Sequence, residues 1–382
     1  MRKKLFAAAA MTLASIFSAS AFLPGEHSTE TKYQLEWLDC SPMPLGKLDP
    51  KKDVNIPALR GVVFLHTRDD DGDPLIRLLE NARRSFDGKA LIAVITPDDM
   101  TDATELRKRH KDSRLRMAVD MERKLTPHFM RGGNLILPAG FLLDADGQIL
   151  WRGEAADLPE AADRALSGKL DVDIQRRTAP LLDRLQQAVR DGNMPFLLRT
   201  ADQMFAVDPG NPAAVRMSIF AAESIRDPAL AWKIVETQKR AVPDLARLNF
   251  TALELILRHA QLRDKLPGLI DDFDKSRSSA NLRYAFADVL LRNFPYDTVA
   301  VIGAKKLVGS TSLSVNAQPE ELAMVLALKA RLRYALGDLA GAEELQRESV
   351  QFYSRAGDRQ GLDEAKKMLD FFRTMIREAQ TK

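Results

Sequence analysis

Few residues in this 382-residue chain could do chemistry. The run Asp69-Asp70-Asp71-Gly72-Asp73 offers carboxylate oxygens of the kind a hard cation such as Ca²⁺ gathers. Set on the helix–loop–helix calcium pattern with Gly72 at the sixth position, the first position becomes Thr67 and the twelfth Leu78, so the bidentate carboxylate is missing. The same acids suit a helix start, where carboxylates cap free N–H groups and meet the positive end of the dipole. No metal site is expected. His27, His66, His110, His128 and His259 never stand three or four residues apart, so no helical metal pair exists. Cys40 is the single cysteine, whereas a disulfide, a Cys-x-x-Cys pair, a four-Cys zinc site or an iron–sulfur cluster each needs more. No nucleophile elbow, phosphate-cradling loop or dinucleotide fingerprint occurs, and no cofactor is expected.

The elements that must position these residues begin with alternating strands and helices between about residues 34 and 168. Gly61 to His66 is a compact apolar run of the doubly buried strand type. Pro74 suits a first helical turn, and Leu75, Ile76, Leu78, Leu79, Ala82 and Phe86 recur at three- and four-residue spacing until Gly88. Ala90 to Thr96 and Leu115 to Val119 read as further strands around a polar helix, Thr101 to Lys111, for which Thr101 and Thr104 are candidate caps. Leu125 to Met130 reads as a helical turn or two. Leu135 to Leu143 and Gln148 to Arg152 flank Asp144-Ala145-Asp146-Gly147, a hairpin turn with Gly147 at positive φ, and Pro159 to Leu166 closes as a helix. This is an α/β domain with a mixed sheet and flanking helices.

The order, together with Leu137-Pro138-Ala139-Gly140-Phe141-Leu142-Leu143-Asp144-Ala145-Asp146-Gly147-Gln148-Ile149, resembles the thioredoxin-like domains of the extracytoplasmic TlpA/ResA group and, more loosely, the peroxiredoxins. The resemblance covers about 110 to 130 residues. It implies a cis Leu137–Pro138 bond facing the active site, and a groove at Pro138 and His66 whose strand edge would bind an extended peptide. It also places Asp69 and Gly72 where that family carries its two thiols, so the site is degenerate and no catalytic residue is expected. The peroxiredoxin reading fails likewise, since no cysteine stands near this helix.

Beyond Gly168 strand signals stop. A linker, residues 169–177, is expected, then helical repeats over 178–382. Pro209 and Pro243 each close a helix, 34 residues apart, which is the tetratricopeptide period. The frame gives units Thr178 to Asn211 and Pro212 to Leu245, with Gly192 at an inter-helix turn and Ala231 at a helix contact, then weaker units from Ala246 and Ala280. A last unit starts near Ala323, out of phase after a loop around Gly309 to Pro319. The resemblance to tetratricopeptide arrays implies a concave partner-binding face, for which the frame offers Arg216, Phe220, Arg247, Phe250, Glu254, Arg258, Arg331 and Tyr334.

Arg2-Lys3-Lys4, the apolar run Leu5 to Phe17 and Ala19-Ser20-Ala21 have the layout of a secretory signal peptide, residues 1–21, so a periplasmic or otherwise extracytoplasmic location is expected, with the membrane a partner only during export. Cleavage after Ala21 removes three cations and no acid, which cancels the formal +3. At 45% hydrophobic and 29% charged the chain has globular cores, and its balanced charge is no nucleic-acid footprint. The expected function is non-enzymatic: a protein-binding or scaffold protein with a redox-inactive thioredoxin-like domain and a helical array, taking a protein or peptide partner. The alternative is a thiol-disulfide oxidoreductase or peroxiredoxin-like protein acting through Cys40 with a partner's thiol.

Overall fold

The computed structural model describes residues 23–28, 34–68, 72–130, 137–243, 245–276, 278–311 and 317–381. The expected signal peptide and Asp69 lie outside the described residues. The chain divides after Ile225 into two compact units.

The first unit is built on a six-stranded sheet of β1 (Leu35–Trp37), β2 (Leu59–Phe64), β3 (Ala90–Thr96), β4 (Arg116–Asp120), β5 (Ala139–Leu143) and β6 (Ile149–Glu154), in the order β1-β4-β3-β2-β5-β6. The β4, β3 and β2 strands run parallel; β1, β5 and β6 each pair antiparallel with their neighbours. Every residue of β2 and β5 is buried, as their unbroken apolar runs require of strands covered on both faces. With α1 (Gly72–Ser85), α2 (Met100–Arg109), α3 (Leu125–Met130) and α4 (Leu158–Leu166), this is a thioredoxin-like α/β arrangement. Asp99, rather than Thr101 or Thr104, caps α2, accepting the Asp102 N–H at 2.9 Å. Gly147 holds φ +76° in the hairpin, where Asp144 Oδ1 accepts the Asp146 and Gln148 N–H groups.

Two apolar layers sandwich the sheet. On one face Val63, Leu65, Ile92 and Val94 meet Leu75, Ile76 and Leu79 of α1, Leu106 of α2 and Leu158 of α4. On the other, Val62, Phe64 and Phe141 meet Leu125 and Phe129, with the Phe129 ring 5.2 Å from Phe64 and 5.1 Å from Phe141. Burying each such ring contributes about 2–3 kcal/mol. The same layer continues through α5 (Val172–Arg190), α6 (Met194–Val207) and α7 (Pro212–Ser224), which add Leu182, Leu185, Leu197, Ala201, Met204 and Ala214. Asp171 caps α5, so helix begins within the stretch read as a linker. Gly192 makes the turn into α6 at φ +63°. The buried Arg152 guanidinium of β6 fastens α5 to the sheet, Nη2 donating to Ala179 O at 3.0 Å and Asp183 Oδ2 at 2.8 Å.

The second unit is all helical: α8 (Pro228–Ala241), α9 (Ala246–Arg258), a 3-10 segment (Ala260–Lys265), α10 (Leu266–Lys275), α11 (Ala280–Asn293), α12 (Thr298–Gly309), α13 (Pro319–Ala335), α14 (Leu339–Ala356) and α15 (Arg359–Gln380). Helices α7, α9 and α11 start at Pro212, Ala246 and Ala280, 34 residues apart each time. Small residues sit where helices touch. Ala231 is fully buried, and a Cβ at Gly303 of α12 would stand 2.7 Å from Ile270 Cδ1 of α10.

Candidate functional site

The ends of β2 and β3 bring His66, Thr67 and Asp98 together beside the start of α1. Asp98 Oδ1 faces His66 Nδ1 at 2.9 Å, and its Oδ2 accepts the Thr67 N–H at 2.5 Å and the Thr67 hydroxyl at 2.7 Å. Burial works against this charge, yet the Thr67, His66 and Thr96 hydrogen bonds win and hold the carboxyl at about 2. His66 is therefore the imidazole partner of an ionised aspartate. Next to it, Gly72 opens α1, and the Asp73 carboxylate is drawn below its ordinary range by His110 Nε2 at 2.9 Å, with Arg109 also beside it.

The Leu137–Pro138 bond is cis, as the motif predicts. Strand β5, which follows it, is paired on both sides, and Pro138 O accepts the Ala155 N–H at 3.1 Å, so this segment presents no open strand edge. It presents a cavity of about 490 Å³ instead. Leu75 and Leu78 of α1 form one wall, Leu137 and Pro138 another, and Glu154 to Ala156 a third. The remaining side comes from Gln186 and Val189 of α5 and Met217 of α7. The lining is mostly apolar, but Gln186, only 3% exposed, leaves its Oε1 without a hydrogen-bond partner. An orphan acceptor on an apolar wall is the polar feature that orients a bound donor. Sequence reasoning missed it, because one Gln on a helix face otherwise filled by Leu182, Leu185 and Ala188 gives no sign of what it faces.

Arg216 fixes the α7 wall. Its Nη1 donates to Asp157 Oδ1 at 2.6 Å and its Nη2 to Asp157 Oδ2 at 2.8 Å and to Glu154. Burial pushes the Glu154 carboxyl up, against the pull of the guanidinium, and Asp157 adds to the push. Arg216 was expected to face a partner; its guanidinium is engaged within its own unit.

Cys40 stands apart from this groove. Leu38 N–H donates to Met117 O, and Cys40 Sγ lies 3.6 Å from that oxygen, so the thiol sits beside the β1–β4 edge. Strand β4 is two spacings from β2, about 10 Å.

The other expected partner-facing residues do not form one surface. Phe220 is 46% exposed on α7 of the first unit. Arg247, Phe250, Glu254 and Arg258 lie on α9 of the second, with Glu254 and Arg258 exposed. Phe250 packs edge-on to Phe273 and Phe286, its centroid 5.8 and 5.3 Å from theirs, as interior of the unit. Tyr334 of α13 packs on Phe371 and Phe372, and its hydroxyl meets Tyr296, which with burial pushes its pKa up to about 12. Arg331 is ion-paired to Asp288.

No family model matches the chain, and no curated protein does. Solved structures with a likeness to the N-terminal part include the bacterioferritin comigratory protein of Xanthomonas campestris, described for alkyl peroxide reduction, at 18% identity over 40% of this chain and 100% of that one, TM-score 0.30. StoA from Bacillus subtilis is 12% identical over 28% of this chain and 82% of its own, TM-score 0.24. An uncharacterized thioredoxin-like protein from Porphyromonas gingivalis is 13% identical over 42% and 95%, TM-score 0.26.

Proposed function

We propose that this chain is a non-enzymatic protein-binding or scaffold protein of the extracytoplasmic space, whose thioredoxin-like unit grips an apolar partner segment in the groove beside Pro138. The observation that carries the reading is the groove itself: about 490 Å³ of mostly apolar space with a single orphan acceptor, Gln186 Oε1. Such a site rewards an apolar side chain and one N–H donor, and needs no reacting group. The position of Cys40 at the far edge of the sheet supports the same reading, since no thiol can reach a disulfide held at Pro138. The second unit, with its 34-residue helical period, supplies the scaffold, a tetratricopeptide-like array in this account. Among the described residues no helix is long and apolar enough to cross a membrane.

Insulin-disulfide reduction and peroxide consumption, each followed with wild type and Cys40→Ser, test the absence of catalysis. Rates equal to the protein-free background are expected; turnover that disappears in Cys40→Ser would overturn the proposal.

A further inference from the structure

The second unit holds a separate groove. A cavity of about 490 Å³ opens among α11, α13, α14 and α15, with Val289, Met324 and Leu328 on its apolar wall. Its charged groups fall into two sets. Asp288 receives Arg331 Nη1 on one oxygen and Arg292 Nε, at 2.6 Å, on the other, so the arginines of the groove are already paired. The remaining charged lining residues, Glu320, Glu321 and Glu364, are all carboxylates, from the first turns of α13 and α15. Glu321 is committed to the helix cap, accepting the Gln318 N–H at 3.0 Å. Gln346 lines the groove from α14. It is 1% exposed, its Nε2 donates to Ala365 O at 3.0 Å, and its Oε1 has no partner. Burial, with the carboxylates of Asp358, Glu320 and Glu364, pushes the Tyr353 hydroxyl up to about 12 despite Arg331, the mark of a negative potential here.

An acceptor that lacks a donor, in a groove with surplus carboxylates, suits a group that carries positive charge and donors only. Among side chains those are Lys and Arg. The apolar wall beside the carboxylates fits residues flanking that side chain on a chain, which a free polyamine, charged along its length, does not provide. We propose that this groove binds the Lys or Arg side chain of an extended partner segment with apolar neighbours, Gln346 Oε1 and the Glu320 carboxylate receiving the cation. This rests on reading the helical unit as a partner-binding module, and gives that module a chemistry.

The test is fluorescence anisotropy of the full chain with fluorescein-labelled Ala-Leu-Ala-Arg-Ala-Leu-Ala, beside the same peptide with norleucine for Arg. Saturable binding of the Arg peptide is expected, at least about tenfold tighter than the norleucine peptide, weakened several-fold by Glu320→Gln and by Gln346→Leu, and not displaced by spermidine. Glu320 is exposed, so Glu320→Gln keeps the test open should Gln346→Leu fail to fold. Equal binding of both peptides, displacement by spermidine, or no effect of Glu320→Gln overturns the cation site while leaving the module reading standing. No binding of either peptide overturns both.

Discussion

Arg216 holds Asp157 with both terminal nitrogens, at 2.6 and 2.8 Å, and by doing so ties α7 to the segment that forms one wall of the groove beside Pro138. A guanidinium fork on one carboxylate is the strongest polar contact a side-chain pair makes. Arg216→Met is expected to lower unfolding free energy by about 2 kcal/mol, a figure kept modest because the arginine is partly exposed. Thermal melts at pH 7 check it, and an unchanged melting temperature contradicts the role. Arg216→Lys should recover only part of the loss, since an ammonium cannot reproduce the fork.

The Asp98 carboxyl sits at about 2 in the folded chain against an ordinary 3.8. A depressed folded pKa means the stabilisation is present above the unfolded value and disappears as pH falls through the window from 3.8 to 2. After discounting for solvent screening, Asp98→Asn should cost about 1–2 kcal/mol at pH 7. The gap between wild type and variant should close between pH 4 and pH 2, as read by denaturant titration across that range. A gap that persists at pH 2 means the cost comes from packing.

Gln186 Oε1 is buried without a donor, so removing it should relieve a penalty. Gln186→Met, close in shape, is expected to raise stability by about 1 kcal/mol and to weaken ligand binding in the groove. Stability and binding moving in opposite directions marks a functional polar group; a loss of both marks a structural one.

At Gly147 the backbone holds φ +76°, and a Cβ would stand 2.7 Å from Gly46 C and 2.9 Å from Lys47 N. Gly147→Ala must therefore strain the turn and displace backbone. A loss of about 2–3 kcal/mol is expected in a denaturant titration, with Gly88→Ala, where nothing stands within 4 Å, losing only about 1.

These predictions divide along what the sequence makes legible. Strands β2 and β3 and helices α1 and α3 lie within about two residues of their readings, because doubly buried strands are unbroken apolar runs and amphipathic helices repeat their apolar positions. The 34-residue step between Pro212, Ala246 and Ala280 was legible for the same reason. Strand β1 was not, since Leu35–Trp37 is too short to show a period. Nor was the attachment of α5 to α7. Leu182, Leu185, Leu197 and Met204 declare an apolar face, but only long-range packing shows that Phe64 and Phe129 lie in the layer they join. The groove at Pro138 inherits that limit: its proline was read from a motif, while Gln186 and Met217 arrive from helices about 50 and 80 residues on, by a pairing no local pattern encodes.

The most direct test of the account is the affinity of wild type, Cys40→Ser and Leu78→Glu for a fluorescein-labelled, cysteine-alkylated insulin B chain, an unstructured apolar peptide with no thiol to exchange. Leu78 lines the groove and is 42% exposed, so a carboxylate there is tolerated by the fold and repels an apolar guest. The account predicts equal affinity for wild type and Cys40→Ser, and a loss of at least about tenfold for Leu78→Glu. Affinity that survives Leu78→Glu unchanged, or that depends on Cys40, contradicts it.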